Sequence, residues 1–143
     1  TSKEAFKCFK DLGIKTIIIS GDNKLCAEYI GKKVEADEVY SEVLPEEKAE
    51  IINKIKTSGA TVLMVGDGIN DAPALTSADI GCAIGSGSDI AIESADIVLM
   101  KNDILDAAKA VNLSRLTLRN IKQNLFWAFC YNTICIPIAA GVL

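Results

Sequence analysis

The sequence predicts an α/β fold with a parallel sheet, followed by a long helix that runs into a transmembrane segment. Short runs of β-branched and aliphatic residues alternate with segments of helical apolar spacing, which is typical of a parallel sheet covered by helices. Two of the runs end in polar loops, Ser20-Gly21-Asp22 and Gly66-Asp67-Gly68. Residues 124–143 contain no charged side chain.

Each element is predicted from its own pattern. Helices are expected where apolar residues recur at helical spacing, and strands where apolar runs are bounded by polar loops. In chain order we expect a helix over 2–12, a strand over 16–19, a helix over 24–33, a short strand over 39–43, a helix from Pro45 to about 58, a strand over 62–65, a helix to about 78, a strand over 80–84, a short helix near 88–94, a strand over 96–100 and a long helix capped by Asp103.

Three of these elements have a specific signal. The run 16–19 is Thr followed by three Ile, and β-branched residues favour strands. Pro45 suits a first helical turn, and Glu46 and Glu47 behind it favour the positive end of a helix. The aliphatic run 62–65 has the length of a strand buried on both faces.

Composition narrows the class of protein. The chain has 143 residues and a formal charge of -4, so it can form one domain with a core, and a nucleic-acid partner is not indicated. It has no His, which excludes Ser-His-Asp and Cys-His catalysis and His-ligated metals. Five cysteines without a CxxC pair favour reduced thiols in a cytosolic domain. The chain starts without Met and stops inside an apolar run, so we expect both ends to be cuts in a longer protein.

The loop after the second buried strand is the strongest candidate site. Asp67 and Asp71 are held on a tight turn at the carboxyl end of a strand, which is the edge where open parallel sheets bind ligands. Carboxylates placed in this way suit Mg²⁺, which keeps waters and phosphates as its other ligands. The alternative is a solvated turn made of turn-favouring residues.

Two other segments contain side chains and backbone groups of the types that bind phosphate in proteins. Ser20 offers a hydroxyl, and Gly21 offers a backbone N–H without a Cβ in the way. Lys48 lies in the first turn of its helix, and a lysine beside a Mg²⁺ site can neutralise a phosphoryl group. By spacing alone, however, Lys48 is more readily a solvated lysine among fifteen basic residues.

These motifs resemble those of P-type ATPases. The stretch from Gly66 to Leu75 looks like the hinge signature of that family, whose phosphorylation domain has the haloacid-dehalogenase-like, Rossmann-like fold. Ser20-Gly21-Asp22 is similar to the family's Thr-Gly-Asp, with Ser in place of Thr. The segment from Leu44 to Lys48 is similar to the one that bears the family's phosphate-site lysine.

The resemblance implies a catalytic set and a domain division. It implies that Asp67 ligates Mg²⁺ with Asp71 in support, and that Asp22 lies near Lys48. The groups implied to hold the phosphoryl group are Ser20, Gly21, Asp22, Lys48 and Asn70. The implied divisions are a partial phosphorylation domain over 1–102, a cytoplasmic connecting helix over 103–123 and a transmembrane helix over 124–143.

The end of the chain resembles one branch of this family. Tyr131-Asn132 is similar to the Tyr-Asn pair that copper-exporting P-type ATPases carry in the helix after this domain, where it is taken as part of the Cu(I) site. A polar residue this deep in an apolar run is a functional candidate. Cys130 adds a soft ligand that Cu(I) prefers, although the family pattern does not require it. Packing between helices is the alternative explanation for the pair.

Several parts of the family are absent from the sequence. No Asp-Lys-Thr-Gly-Thr occurs, so the carboxylate that accepts phosphate is missing, as is the nucleotide-binding domain. We therefore expect an inactive fragment of a multi-pass membrane ATPase that uses ATP and Mg²⁺ and exports Cu⁺ or Ag⁺, with residues 1–123 on the cytoplasmic side. Its expected partners are the rest of that ATPase and membrane lipid. The alternatives are a regulatory or interaction fragment and a soluble haloacid-dehalogenase-like phosphatase.

The missing motif also removes a strand. In the fold that the resemblance implies, this strand lies between the one ending at Ser20 and the one ending at Gly66. We therefore expect the two flanking strands to pair directly, a second chain to supply the strand, or the chain to occur only inside a larger assembly.

Overall fold

The structure of the chain is a computed structural model that describes residues 1–67, 69–85 and 93–141. In chain order its helices and strands are α1 (Ser2–Asp11), β1 (Ile17–Ile19), α2 (Lys24–Val34), β2 (Glu38–Tyr40), α3 (Pro45–Thr57), β3 (Leu63–Gly66), a 3₁₀ helix (Ile69–Asp71), α4 (Ala72–Ser77), β4 (Ile80–Ile84), β5 (Ile97–Leu99) and α5 (Ile104–Ala139). The short helix expected near residues 88–94 falls, apart from its last two positions, outside the described residues.

The chain divides into two compact units, Thr1–Ala108 and Lys109–Leu143. The first unit contains the described strands and helices α1 to α4, and the second consists of the later part of α5 and the residues after it. The boundaries expected at residues 102 and 123 stay predictions.

The described strands form two parallel sheets. One sheet has the order β1-β2 and the other the order β3-β4-β5. The parallel pairing expected from the alternation of strands and helices is therefore confirmed. β1 and β3 are not paired with each other, so the first of the three outcomes expected for the missing strand is not found. The other two concern partner chains and stay predictions.

The burial of the strands differs from expectation. β1 and the apolar residues of β3 are only partly buried, although the sequence predicts buried strands there. The reason is that, among the strands that the structure describes, each of these two has a paired neighbour on one side only. β4 lies between two strands and is the best covered, with Gly81, Cys82 and Ala83 buried.

Three aspartates fix the start of the three parallel pairs. In each case the carboxylate accepts a hydrogen bond from the backbone N–H of a residue on the neighbouring segment, and the aspartate's own N–H donates to the carbonyl oxygen of that residue. These aspartate clamps join Asp37 to Thr16, Asp79 to Val62 and Asp96 to Gly81. The distance from the backbone N to the aspartate Oδ2 is 2.8 Å in each.

The position of the clamps explains the register of the sheets. Each clamp lies one residue before the first paired residues of its ladder, which are Ile17 with Glu38, Leu63 with Ile80 and Cys82 with Ile97. A slip of one residue would therefore break both hydrogen bonds of a clamp and turn every side chain of the strand to the other face. Each of the three aspartates follows an alanine, so the Ala-Asp dipeptide marks these strand starts in the sequence.

Helix α5 begins as expected and continues through the apolar stretch. The backbone N–H of Leu105 donates to the Asp103 carboxylate at 2.9 Å, which caps the helix. Among the described residues, no helix is both long and apolar enough to cross a membrane. The transmembrane segment predicted over 124–143 is therefore not confirmed, and Asn124, Asn132 and Thr133 lower the mean hydropathy of this stretch.

We predict that the clamp at Asp79 gives a pH-dependent contribution to stability. The hydrogen bond from Val62 and the nearby Lys56 hold the pKa of Asp79 below its ordinary value of 3.8. A carboxyl group with a lowered folded-state pKa stabilises the fold above its unfolded-state pKa, and this contribution is lost as the pH falls through the folded-state value. Asp79→Asn should therefore lower the urea midpoint of unfolding at about pH 7, and the difference from wild type should shrink at about pH 3.

Glu50→Gln provides the control, because Glu50 is an exposed carboxylate of α3. Its urea midpoint should match that of the wild type at both pH values. A difference between wild type and Asp79→Asn that is equally large at both pH values would contradict the prediction.

Candidate functional site at the strand ends

The loop after β1 folds back on itself. The Ser20 hydroxyl donates to Asp22 Oδ2 at 2.9 Å, and the Asp22 N–H donates to Ser20 Oγ at 3.1 Å. This pair of hydrogen bonds is a tight local turn of the kind that Ser and Asp favour. The Asp22 carboxylate is therefore hydrogen-bonded within its own loop.

A second segment holds this loop in place. The Val43 N–H donates to the Ser20 carbonyl oxygen at 3.1 Å, and the Glu42 N–H donates to the Asp22 carbonyl oxygen at 2.9 Å. A Cβ on Gly21 would lie 3.3 Å from the Val43 carbonyl oxygen, so a glycine permits this close approach. Glu42 has a φ of 57°, a left-handed conformation that turns the chain between these contacts. The sequence predicts a strand over 39–43, but β2 ends at Tyr40, and Glu42 and Val43 instead hold the Ser20 loop.

The same segment leads directly into the helix that carries Lys48. Leu44 is the residue before α3, and its N–H donates to the Glu47 side chain at 2.9 Å, which closes the first turn. Val43 itself is buried, with 7% of its surface exposed. The start of α3, and with it Lys48, is therefore fixed relative to the loop of Ser20.

Lys48 forms an ion pair with Asp71. The Lys48 Nζ lies 2.7 Å from Asp71 Oδ1, and the two side chains are 16% and 14% exposed. The interpretation of Lys48 as a solvated lysine is therefore wrong. Asp71 is the carboxylate that pairs with Lys48. The proximity of Asp22 to Lys48 that the resemblance implies stays a prediction.

Gly66 determines where Asp71 lies. A Cβ built on this last residue of β3 would be 2.9 Å from the Asp71 Cβ and 3.0 Å from its Oδ2. The 3₁₀ helix thus brings the aspartate back over the end of the strand, into space that only a glycine leaves free. The glycine at the last strand position is therefore the signal in the sequence that marks this contact.

Asp67 and Asn70 complete the group at the end of β3. Asp67 follows the strand directly and Asn70 lies in the 3₁₀ helix, and both are exposed. No cluster of three or more His, Cys, Asp or Glu side chains able to hold a metal occurs in the part of the chain that the structure describes. Two carboxylates at one strand end are a donor set of the type that Mg²⁺ takes, because this ion needs few protein oxygens.

The candidate residues of the apolar stretch all lie on α5. Tyr131 and Asn132 are exposed, and Cys130 is partly buried. Pro137 lies inside the same helix and cannot donate the hydrogen bond that would reach the carbonyl of Thr133. The chemistry of this group is that of one soft thiol and two neutral polar side chains.

Comparison with known proteins gives the family. A model of the haloacid dehalogenase-like hydrolase family matches residues 1–79. The chain belongs to this family. The haloacid-dehalogenase-like fold class predicted from the sequence is therefore confirmed, and the Ser20 loop, Lys48, Asp67 and Asp71 all lie inside the matched range.

The relatives of this haloacid dehalogenase-like chain are ion-transporting ATPases. Over its whole length it is 56% identical to Copper-transporting ATPase 2 of Rhizobium meliloti (strain 1021) and 47% identical to the silver exporting P-type ATPase of Salmonella typhimurium, and it covers 17% of each. The solved structure of a zinc-transporting PIB-type ATPase in the E2.Pi state matches 98% of the chain with a TM-score of 0.87 and 37% identity, and the chain covers 23% of it. The chain thus spans less than a quarter of the length of these relatives. Its resemblance to copper-exporting P-type ATPases is confirmed.

We predict that Gly66→Ala weakens the ion pair of Lys48 with Asp71. The added methyl group would collide with Asp71, so we expect the free energy of unfolding to fall by about 1–3 kcal/mol. The coupling energy between Lys48→Met and Asp71→Asn, measured in a double-mutant cycle by urea unfolding, should be smaller in the Gly66→Ala background than in the wild type. An equal coupling energy in the two backgrounds would show that Gly66 does not set the position of Asp71.

Proposed function

We propose that this chain is part of an ATP-driven P-type ATPase that exports Cu(I) or Ag(I), and that it contributes half of the phosphorylation site. The observation that carries the phosphorylation-site part of the proposal is the mostly buried ion pair of Lys48 with Asp71 at the strand ends. A buried pair of this kind is a costly arrangement for a purely structural purpose. Support also comes from the 56% identity, over the whole chain, to a protein named as a copper-transporting ATPase.

In this proposal the two polar loops and Lys48 bind the transferred phosphoryl group. The Gly21 N–H donates to one phosphoryl oxygen, and the Ser20 hydroxyl turns from Asp22 Oδ2 to donate to another. The Asp22 N–H keeps its hydrogen bond to Ser20 Oγ and so orients this hydroxyl. The Lys48 ammonium and the Asn70 amide bind the same group from the other side of the site. Lys48 does not bind nucleotide in this proposal, because it does not lie in a GxxxxGK[ST] loop, a motif that the chain lacks.

The two carboxylates at the end of β3 would hold the metal ion. Asp67 is the main ligand, because it follows the strand directly and its side chain is exposed to a hydrated ion. Asp71 supports it from the adjacent 3₁₀ helix. When bound, Mg²⁺ supplies positive charge that neutralises the phosphoryl oxygens during transfer.

The transported ion is bound by a separate group on α5. We propose that Tyr131 and Asn132 belong to the ion site, with Cys130 as an additional soft ligand suited to Cu(I) and Ag(I). The whole protein is then a multi-pass membrane transporter, with residues 1–123 on the cytoplasmic side. Its partners are the nucleotide-binding, actuator and other membrane segments and the surrounding lipid, and no nucleic acid takes part.

We predict that Asp67→Asn in the full-length protein abolishes Mg²⁺-dependent phosphorylation. An amide keeps the shape of the side chain but removes the negative charge that binds the ion, so phosphoenzyme formation from labelled ATP should fall at least about 100-fold. Glu50→Gln, which removes an exposed carboxylate from α3, should leave the phosphoenzyme level unchanged. Normal phosphorylation of Asp67→Asn would refute the assignment of this carboxylate.

We predict that Asn132→Ala weakens Cu(I) binding by the full-length protein about tenfold or more. The expected cause is the loss of a polar group from the ion site, and the measurement is Cu(I) affinity and stoichiometry by competition with a chromogenic chelator. Asn120→Ala, a change of the same type earlier in α5, should leave copper binding intact. If the two variants bind copper equally well, Asn132 serves helix packing and not the ion site.

A further inference from the structure

The ion pair of Lys48 with Asp71 joins a fixed group to a movable one. Asp71 is held over the end of β3, where its Oδ2 and Cβ lie against the position that a Gly66 Cβ would take. Lys48 reaches it through a flexible four-carbon side chain from the first turn of α3. When the pair opens, Lys48 is therefore the partner that moves.

Lys48 pairs with one of the two oxygens of Asp71. Its Nζ contacts Oδ1 at 2.7 Å, while Oδ2 lies 3.0 Å from the position that a Gly66 Cβ would take. A divalent cation that binds Oδ1 of Asp71 must therefore compete with Lys48. Both side chains are mostly buried, so bulk water screens this competition only weakly.

Asp67 is in the opposite situation. It is exposed, and it has no hydrogen bond or ion pair to any other described residue. Of the two carboxylates at the end of β3, only Asp67 is therefore available to a cation while Lys48 remains on Asp71.

We propose that Lys48 is an internal counter-cation that blocks Asp71 against divalent metal until an anion draws it away. This inference rests on the proposed function, in which Lys48 binds the phosphoryl group. With no phosphate present, Lys48 neutralises Asp71 and the divalent ion binds weakly, through Asp67 alone. When a phosphate anion takes Lys48, Asp71 is released to the metal, so that metal and phosphate each strengthen the binding of the other.

The balance of charge favours this exchange. The empty site contains two carboxylates and one ammonium, which leaves it with one net negative charge. A divalent cation that approaches Asp71 beside Lys48 meets a like charge at close range, which is unfavourable in a poorly hydrated site. Transfer of Lys48 to a phosphate oxygen removes this repulsion and gives both cations a negative partner.

The test uses Mn²⁺ as the probe for the divalent site, with free Mn²⁺ measured by electron paramagnetic resonance on the full chain. Without phosphate, Lys48→Met should bind Mn²⁺ about tenfold more tightly than the wild type. Inorganic phosphate should strengthen Mn²⁺ binding by the wild type and have a smaller effect on Lys48→Met. Lys48→Arg, which keeps the positive charge, should bind Mn²⁺ as weakly as the wild type.

Lys54→Met is the matched control, because it removes an exposed positive charge from the same helix. It should leave the affinity for Mn²⁺ unchanged, which separates competition at Asp71 from a general change in net charge. Circular dichroism reports whether each variant is folded, and Lys48→Gln, which can still donate to Asp71, replaces Lys48→Met if the latter unfolds.

The outcomes separate this inference from the proposed function. Equal Mn²⁺ affinity of the wild type and Lys48→Met, or weaker binding by Lys48→Met, would overturn the competition while leaving the metal site intact. Asp67→Asn placed in the Lys48→Met background reports on the site itself. If that change has no effect on Mn²⁺ binding, the metal site of the proposed function is wrong, and the competition is wrong with it.

Discussion

The aspartate clamps hold the parallel strands of this chain in register, and the candidate site depends on them. Each clamp uses both the carboxylate and the backbone N–H of one aspartate to fix a neighbouring segment just before the strands pair. The side-chain period of a strand is two residues, so the register decides which groups leave the sheet at its carboxyl end. The clamp of Asp37 to Thr16 thereby determines where the Ser20 loop leaves the sheet. The clamp of Asp79 to Val62 does the same for the loop of Asp67.

Contacts beyond the strand ends then bring the residues of the candidate site together. Val43 ties the loop of Ser20 to the start of α3, and Gly66 allows Asp71 to lie over the end of β3. Lys48 then meets Asp71 from a fixed helix start at a distance of 2.7 Å. Because both side chains are mostly buried, removing either partner leaves the other charge poorly hydrated and without a counter-charge, which is destabilising. In the proposed exchange, the Lys48 ammonium therefore moves from the Asp71 carboxylate only when a phosphate offers it another negative partner.

The partial burial of β1 and β3 has a related explanation. Their apolar residues are of the type that fills the centre of a parallel sheet, yet in the described part of the chain each strand has a neighbour on one side only. An unpaired strand edge exposes backbone groups that favour pairing with a further strand. This agrees with the length of the relatives, since the chain covers only 17% of Copper-transporting ATPase 2 of Rhizobium meliloti. Helix α5 also exposes large apolar side chains, such as Trp127. Apolar surface of this kind is usually buried against another segment, another protein or a membrane.

The sequence by itself determined the alternation of strands and helices, the helix start at Pro45 and the family, because these depend on local pattern and on the run from Gly66 to Leu75. Its residue types and loop position also made Asp71 a candidate for metal, whereas Lys48 became a candidate for phosphate mainly through the family resemblance. Only the tertiary structure decided that these two form a pair, that Asp22 bonds to Ser20 and that the Ala-Asp dipeptides are clamps. Each of these facts, apart from the local turn of Asp22, joins residues 15 to 23 positions apart. The physical reason is that such distances are fixed by the register and packing of the whole sheet, which no local pattern encodes.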